Sequence, residues 1–291
     1  MARHGTLLQV VVITVHTSAE VRRLVRDSRA RGNSIGFVPT MGALHAGHRS
    51  LLEFARKECD FVVASIFVNP KQFDQASDLE KYPATLDDDL AMCAAEGVDL
   101  VYAPNAASMY PKDHEVVVSV PKLGALFEGA KRPGHFDGVA LVVTKLLSTV
   151  SPDVAYFGQK DFQQTLVIRR LVRDLDLGTS IKVLPTVRDD DGLALSSRNI
   201  RLDTRARQIA TVIPTALEAA RRSFERGAFE AGEMTKTVRD SMTVAGLQVD
   251  YVDVVDENSL ESLDSCRPGA VILVAATIDG VRLIDNVILG E

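Results

Sequence analysis

Apolar residues recur along this chain in two rhythms, and the alternation between them outlines a fold. Short, nearly unbroken apolar runs stand at 35–38, 61–68, 99–103, 154–157 and 181–184, the pattern of strands covered on both faces. Between them lie stretches with apolar residues at helical spacing. The tetrad Thr17-Ser18-Ala19-Glu20 has the form of a capping box, and Val21, Leu24 and Val25 follow it. Residues 49–58 are amphipathic, Thr85 opens a helix that Gly97 stops, and further helices are predicted at 139–149 and 162–175. The β-branched run 10–15 reads as a first strand or an ordered arm. Strand and helix alternate throughout, so a doubly wound parallel sheet is the economical arrangement.

After about residue 187 the rhythm changes. A helical stretch covers 203–225 with Pro214 inside it, which predicts a break or kink there. A helix follows at 231–244, then strands at 249–255, 271–278 and 281–289, the last two joined by the hairpin turn Asp279-Gly280. The expected architecture is α/β: a Rossmann-like domain over residues 1–187 and a smaller α+β C-terminal domain over 188–291.

Composition narrows the partners. Hydrophobic residues make up 46% of the 291, enough for two real cores, and the net charge of -6 argues against nucleic acid. The basic run Arg22, Arg23, Arg26, Arg29 and Arg31 has helical spacing and reads as a solvated helix face. Cys59, Cys93 and Cys266 form no C-x-x-C pair and read as reduced, buried thiols. No apolar stretch approaches the length of a membrane span, and the run near the N-terminus lacks the form of a signal peptide. A soluble, cytoplasmic protein is expected.

The chemistry concentrates in Pro39-Thr40-Met41-Gly42-Ala43-Leu44-His45-Ala46-Gly47-His48, a strand-to-helix turn carrying two glycines and two histidines. A helix start offers unpaired N–H groups and partial positive charge, which is an anion site. Two imidazoles can meet a phosphate whose charge grows during reaction, or one can simply cap the helix. The spacing also permits a metal pair, but no further His or Cys cluster completes it. Ligands of open parallel sheets bind at the carboxyl ends of strands. Three more polar segments follow predicted strands or mark the domain junction: 69–72, 158–164 and 196–198. In them, Lys160 and Arg198 are cations for a polyphosphate or surface charges. Asp161 is a ribose acceptor or a helix cap. Asn69, Gln72, Gln163 and Gln164 suit a small hydroxylated acid. Asp87-Asp88-Asp89 is a magnesium locus, with Asp88 and Asp89 as ligands, or a first turn that complements its helix dipole. Neither a G-x-x-x-x-G-K-[ST] loop nor a dinucleotide fingerprint is present.

These blocks, with Arg132-Pro133-Gly134-His135-Phe136-Asp137-Gly138-Val139, Phe157-Gly158-Gln159-Lys160-Asp161-Phe162-Gln163-Gln164, Ser196-Ser197-Arg198-Asn199 and Arg282-Leu283-Ile284-Asp285-Asn286, resemble the pantoate–β-alanine ligase (pantothenate synthetase) family of the adenylate-forming nucleotidyltransferases. The resemblance spans essentially the whole chain. It implies ATP binding at residues 39–48, at Gly158, Gln159, Lys160 and Asp161, at Val187, and at Leu195, Ser196, Ser197 and Arg198. It places pantoate against Gln72 and Gln164 with Asn69 nearby, and makes His48 the proton donor. It also implies Mg²⁺ with ATP, β-alanine as amine, and a homodimer. His135 receives no role. Leu195 stands where many members have Met, and Ala140-Leu141 replaces a more polar pair. The rival readings are a cytidylyltransferase-type nucleotidyltransferase and a non-catalytic nucleotide-binding module.

Overall fold

The computed structural model describes residues 12–74, 79–80 and 82–290. Residues 10 and 11 of the expected first strand lie outside the described residues; of the remaining four, Ile13–Val15 form β1, at the edge of a sheet. The chain continues through α1 (Ser18–Arg29), β2 (Ile35–Thr40), α2 (Ala46–Glu58), β3 (Phe61–Ile66), α3 (Leu86–Ala95), β4 (Leu100–Tyr102), α4 (Ala106–Met109) and α5 (Phe127–Lys131). Then come α6 (His135–Val150), β5 (Val154–Gly158), α7 (Phe162–Asp174) and β6 (Ser180–Leu184). These six strands pair in parallel in the order β1-β4-β3-β2-β5-β6. The doubly wound parallel sheet expected from the sequence is present.

Both sheet faces are covered. Leu51, Leu52 and Ala55 of α2 and Cys93 of α3 pack with Val38, Val62 and Val101 on one side. Val21 and Val25 of α1, Leu146 of α6 and Val167 of α7 pack with Phe37 and Val63 on the other. Coverage on both faces is why the strands read as unbroken apolar runs. The capping box of α1 is formed, Glu20 N donating to Thr17 Oγ1 at 3.3 Å and Thr17 N to Glu20 Oε2 at 3.1 Å. Arg22, Arg23 and Arg26 lie exposed on that helix. α6 begins at His135, four residues before the expected start, because Gly134 adopts φ 81° and turns the chain into it.

β2 has β3 on one side and β5 on the other. The winding reverses between β2 and β5, and a crevice opens at such a point beyond the carboxyl ends of the strands. Gly138 on α6 shapes one wall of it. A Cβ there would lie 2.1 Å from the Lys71 carbonyl oxygen, so only glycine lets the turn after β3 rest on the helix.

The second unit holds α8 (Thr204–Ala210), α9 (Val212–Glu225) and α10 (Ala231–Val244), then the antiparallel sheet β7 (Gln248–Val255), β8 (Val271–Ile278) and β9 (Val281–Ile288). The expected break at Pro214 falls instead at Thr211, between α8 and α9. Pro214 sits in the first turn of α9, where its missing N–H leaves no helical bond unmade. Asp279 and Gly280 take φ 47° and 73°, the left-handed pair that a tight hairpin requires. One face of this sheet packs on Leu217 and Met242 of α9 and α10. Val255, Val271 and Leu273 join the core of the first unit. Arg282 adds a polar tie, donating to Glu128 at 2.5 Å and Asp250 at 2.7 Å, while Tyr251 donates to Glu128 at 2.8 Å.

Candidate active site

The turn after β2 is held from below. Gly42 at φ 83° and Ala43 at φ 51° reverse the chain, and the N–H groups of Ala43 and Leu44 point at Asp89 of α3. The Asp89 carboxylate accepts from Ala43 N at 3.0 Å, Leu44 N at 2.8 Å and the Thr85 hydroxyl at 3.2 Å. A side chain at Gly42 would bring its Cβ within 2.9 Å of that carboxylate. These bonds bear on the magnesium expectation for Asp88 and Asp89. Asp89 is 3% exposed and spent on backbone, and Asp88 lies exposed on the helix surface. Among the described residues, no three His, Cys or acidic side chains converge to hold a metal ion.

The two histidines cap α2 and still present donors to the cleft. His45 Nδ1 accepts from Gly47 N at 3.1 Å, and His48 Nδ1 accepts from His45 N at 3.3 Å. A neutral imidazole whose Nδ1 accepts carries its proton on Nε2. The capping reading holds for Nδ1 of each ring, and it leaves each Nε2–H unspent by the cap. The ring centroids are 4.2 Å apart. Burial, then the neighbouring His45 ring, pushes His48 down to about 3. Burial and the Lys160 charge lower His45 as well. Both rings are neutral N–H donors at neutral pH.

Two clefts meet at this turn. The first, about 210 Å³, runs along α6 and has an apolar wall that includes Phe67, Val139, Val142 and Val143. Its polar groups include Asn69, Gln72, Gln164, Arg132 and His135. The second, about 200 Å³, is bordered by His45, Gly158, Lys160, Val187 and the 195–198 segment. Met41, His48, Tyr82, Asp161 and Arg198 border both, and so form the seam between them. A larger cleft of about 730 Å³ lies against α9, bordered by Pro214, Glu218 and Arg222; no histidine or cysteine is among the described residues that line it. Size does not identify the site; convergent polar chemistry does.

Several expected site residues are spent on holding the cleft walls, Asn69 from the border of the first cleft. Asn69 is fully buried, donating to Gln72 Oε1 at 2.9 Å and Gly138 O at 3.1 Å and accepting from Tyr110 and Lys71 N. It fixes Gln72, whose Nε2 lies 2.9 Å from Met41 Sδ. Gln163 faces inward, bonding Glu128 N and the carbonyls of Leu123 and Leu126, whereas the next residue, Gln164, borders the first cleft. Pro39, Thr40 and Gly47 border the clefts; Gly42, Ala43, Leu44, Ala46 and Gln159 do not. Asp161 stands at the N-cap of α7 but makes no capping bond.

Sequence reading missed Arg132, His135 and Tyr82 as cleft residues. His135 Nδ1 donates to Gln72 O at 2.8 Å, and Arg132 Nη2 donates to the same carbonyl at 3.2 Å. Burial, then the Arg132 charge, lowers His135 to about 4. The Arg132 signal lay in its own block, where an arginine precedes a glycine-led helix start.

Known proteins share this architecture. The pantoate-beta-alanine ligase family model matches residues 13–288. The pantothenate synthetase of Acidothermus cellulolyticus is 48% identical over 297 residues, covering 95% of this chain and 98% of the relative. The chain belongs to the pantoate–β-alanine ligase family. The pantothenate synthetase crystal structure from Thermus thermophilus superposes with a TM-score of 0.90 at 44% identity, covering 95% of this chain and 99% of that one. A Francisella tularensis pantoate-beta-alanine ligase, crystallised with beta-gamma ATP and beta-alanine, gives a TM-score of 0.79 at 35% identity, with 95% and 97% coverage.

In this ligase the low-titrating histidines carry a stability consequence. His48 and His135 titrate below the ordinary value of 6.5, so between there and about 4 the unfolded chain binds more protons than the folded one. Stability therefore falls as pH drops through that window, by roughly 2 kcal/mol per histidine at pH 5. Urea unfolding of wild type and His135→Gln at pH 7, 6 and 5 checks this. The variant's slope of stability against pH should be shallower by about 1.4 kcal/mol per pH unit; equal slopes would show that His135 does not carry the effect.

Proposed function

We propose that this ligase condenses pantoate with β-alanine at the expense of ATP, through an enzyme-bound pantoyl adenylate, releasing AMP and pyrophosphate. The observation that carries the reading is the seam at His48, where an apolar-walled polar cleft opens into a cation-lined groove. Pantoate pairs a geminal dimethyl with two hydroxyls and a carboxylate. Val139, Val142 and Val143 offer the dimethyl a wall, and Gln72 and Gln164 offer the hydroxyls donors and acceptors. ATP fits the second groove, with its triphosphate over the start of α2 beside Lys160 and Arg198.

A carboxylate does not condense with an amine unaided, because oxide is a poor leaving group. At the seam a pantoate carboxylate oxygen attacks the α-phosphorus, and the bond to the β-phosphate breaks. Charge then builds on the phosphoryl oxygens and the departing pyrophosphate. His45 and His48 Nε2–H groups, Lys160 and Arg198 meet that charge from fixed positions. His48 meets that charge through its Nε2–H, the Nδ1 being spent on His45 N. The neutral amine of β-alanine next attacks the acyl carbonyl, AMP leaves with the bonding pair, and the amine's extra proton passes to solvent. The apolar wall and the second unit, residues 188–291 acting as a cover over residues 1–187, keep water from the mixed anhydride. Mg²⁺ enters with ATP as part of the substrate. The working form is a cytoplasmic homodimer, a reading supported by the family resemblance.

The test is a product assay with ATP, Mg²⁺, pantoate and β-alanine, omitting each organic substrate in turn. Sustained AMP, pyrophosphate and pantothenate formation should require both organic substrates. Without β-alanine, pyrophosphate release should stop near one equivalent per site. A stable nucleotide–substrate product would favour a cytidylyltransferase-type enzyme, and ATP binding without any release would favour a binding module.

A further inference from the structure

The block Arg282-Leu283-Ile284-Asp285-Asn286 lies far from the histidine turn in sequence, and the chemistry above gives it no task. On β9 it carries two adjacent buried polar side chains, Asp285 and Asn286, each 3% exposed. Neighbouring strand residues face opposite sides of a sheet. Val281 and Leu283 face the α9–α10 core, and Asp285 shares their parity. Arg282 and Asn286 face the first unit, where Arg282 reaches Glu128.

Asn286 uses its whole carboxamide on the segment that carries Lys160. Its Nδ2 donates to Gln159 O and to Lys160 O, both at 3.0 Å, and its Oδ1 accepts from Gln159 Nε2 at 3.3 Å. These carbonyls belong to a three-residue 3₁₀ turn, Gln159–Asp161. A single such turn has poor hydrogen-bond geometry of its own and takes its conformation from its surroundings. On the opposite face, Asp285 receives Arg188 in a bidentate pair at 2.6 and 3.0 Å and accepts Asn286 N at 2.8 Å. Arg188 forms an antiparallel bridge with Ala194, and Leu195 N donates to Val187 O at 3.0 Å. One dipeptide thus grips both segments that border the second cleft, 158–161 and 187–198.

We propose that Asn286 is a positioning residue for the adenylation step, holding the Gln159 and Lys160 peptides so that the Lys160 ammonium sits where the triphosphate needs it. The inference rests on the role given to Lys160 above. Asn286 spends its carboxamide on Gln159 and Lys160, so it acts through the backbone of Lys160. A carboxylate in its place could still accept from Gln159 Nε2 but would set a negative charge against two carbonyl oxygens. A misplacement of about 1 Å in a charged group at the reacting centre can cost 100-fold in rate.

The experiment is a double-mutant cycle on single-turnover pyrophosphate release from ATP and pantoate, with Asn286→Ala and Lys160→Ala alone and together. Asn286→Ala should lower the rate on the order of 10–100-fold with the KM for pantoate unchanged, because Gln72 is fixed by Asn69 and not by the 159–161 turn. Asn286→Asp should do no better than alanine. In the Lys160→Ala background the same Asn286 change should cost less than about twofold, because the group it positions is gone. Should alanine impair folding, judged by the urea midpoint, Asn286→Ser keeps one donor and gives the same comparison at smaller amplitude. Equal losses from the Asn286 change in both backgrounds, or a raised pantoate KM with unchanged rate, would overturn the proposal. Near-normal release by Lys160→Ala alone would instead overturn the role of Lys160, a distinguishable failure.

Discussion

Changing His48 to Ala should slow pyrophosphate release from ATP and pantoate by about 10²–10³-fold, the cost of removing one fixed donor from a site of developing charge. The ring has two jobs, and the substitution removes both. The ring borders both clefts, and its Nδ1 accepts from His45 N at 3.3 Å, which leaves the proton on Nε2. Loss of the cap alone costs about 1 kcal/mol of stability. His48→Asn separates the two, since its carbonyl oxygen can still cap while its amide reaches less far into the cleft. Both variants should lose most of the rate, and asparagine should keep the wild-type urea midpoint more closely than alanine. Because the ring is neutral well above its low titration point, the wild-type rate should show no His48 limb between about pH 6 and 8. A limb in that range that vanishes with the His48 change would make it a proton donor after all.

Lys160→Ala is expected to be as damaging to the chemistry and harmless to the fold. Lys160 borders the second cleft just beyond β5, at the point where the sheet winding reverses. A charged donor aimed at the phosphates contributes about 2.7–4 kcal/mol by comparison with an oxyanion-hole donor, or two to three decades in rate. Stability should stay within about 0.5 kcal/mol, as for a surface change away from the core. Single-turnover release and urea unfolding on the same preparation check both halves. A well-folded variant with near-normal release would remove Lys160 from the mechanism.

The fold was legible wherever its signals were local. Strand cores, the Thr17–Glu20 box and the Asp279-Gly280 hairpin depend on a few adjacent residues, and they appear where the sequence puts them. The doubly wound sheet followed from alternation alone. Local reasoning failed where position within an element decides the outcome. Pro214 breaks a helix interior but fits a first turn, and only the real start at Val212 shows which applies.

The site divides the same way. The glycine–histidine turn announces itself, because few other uses require two glycines and two histidines at a strand-to-helix junction. The acidic run at 87–89 could be read as a metal locus because sequence does not reveal that α3 packs beneath that turn. There Asp89 meets two backbone N–H groups. Arg132, His135 and Tyr82 reach the clefts from segments distant in sequence, and nothing in their spacing ties them to His48. Gln163 and Gln164 are adjacent and chemically identical, yet helix geometry sends one into the interior and one to the cleft. The Asn286 contact spans 126 residues and joins two units, so it exists only in three dimensions.

The central claim is that pantoate's carboxylate attacks the α-phosphorus of ATP. It is tested most directly by turning over pantoate labelled with heavy oxygen in its carboxylate, with ATP and β-alanine, and locating the label by mass spectrometry. The adenylate route requires one labelled oxygen in the phosphate of each AMP formed and none in pyrophosphate. Unlabelled AMP, or label in an inorganic phosphate product, would contradict it and place the attack at another phosphorus.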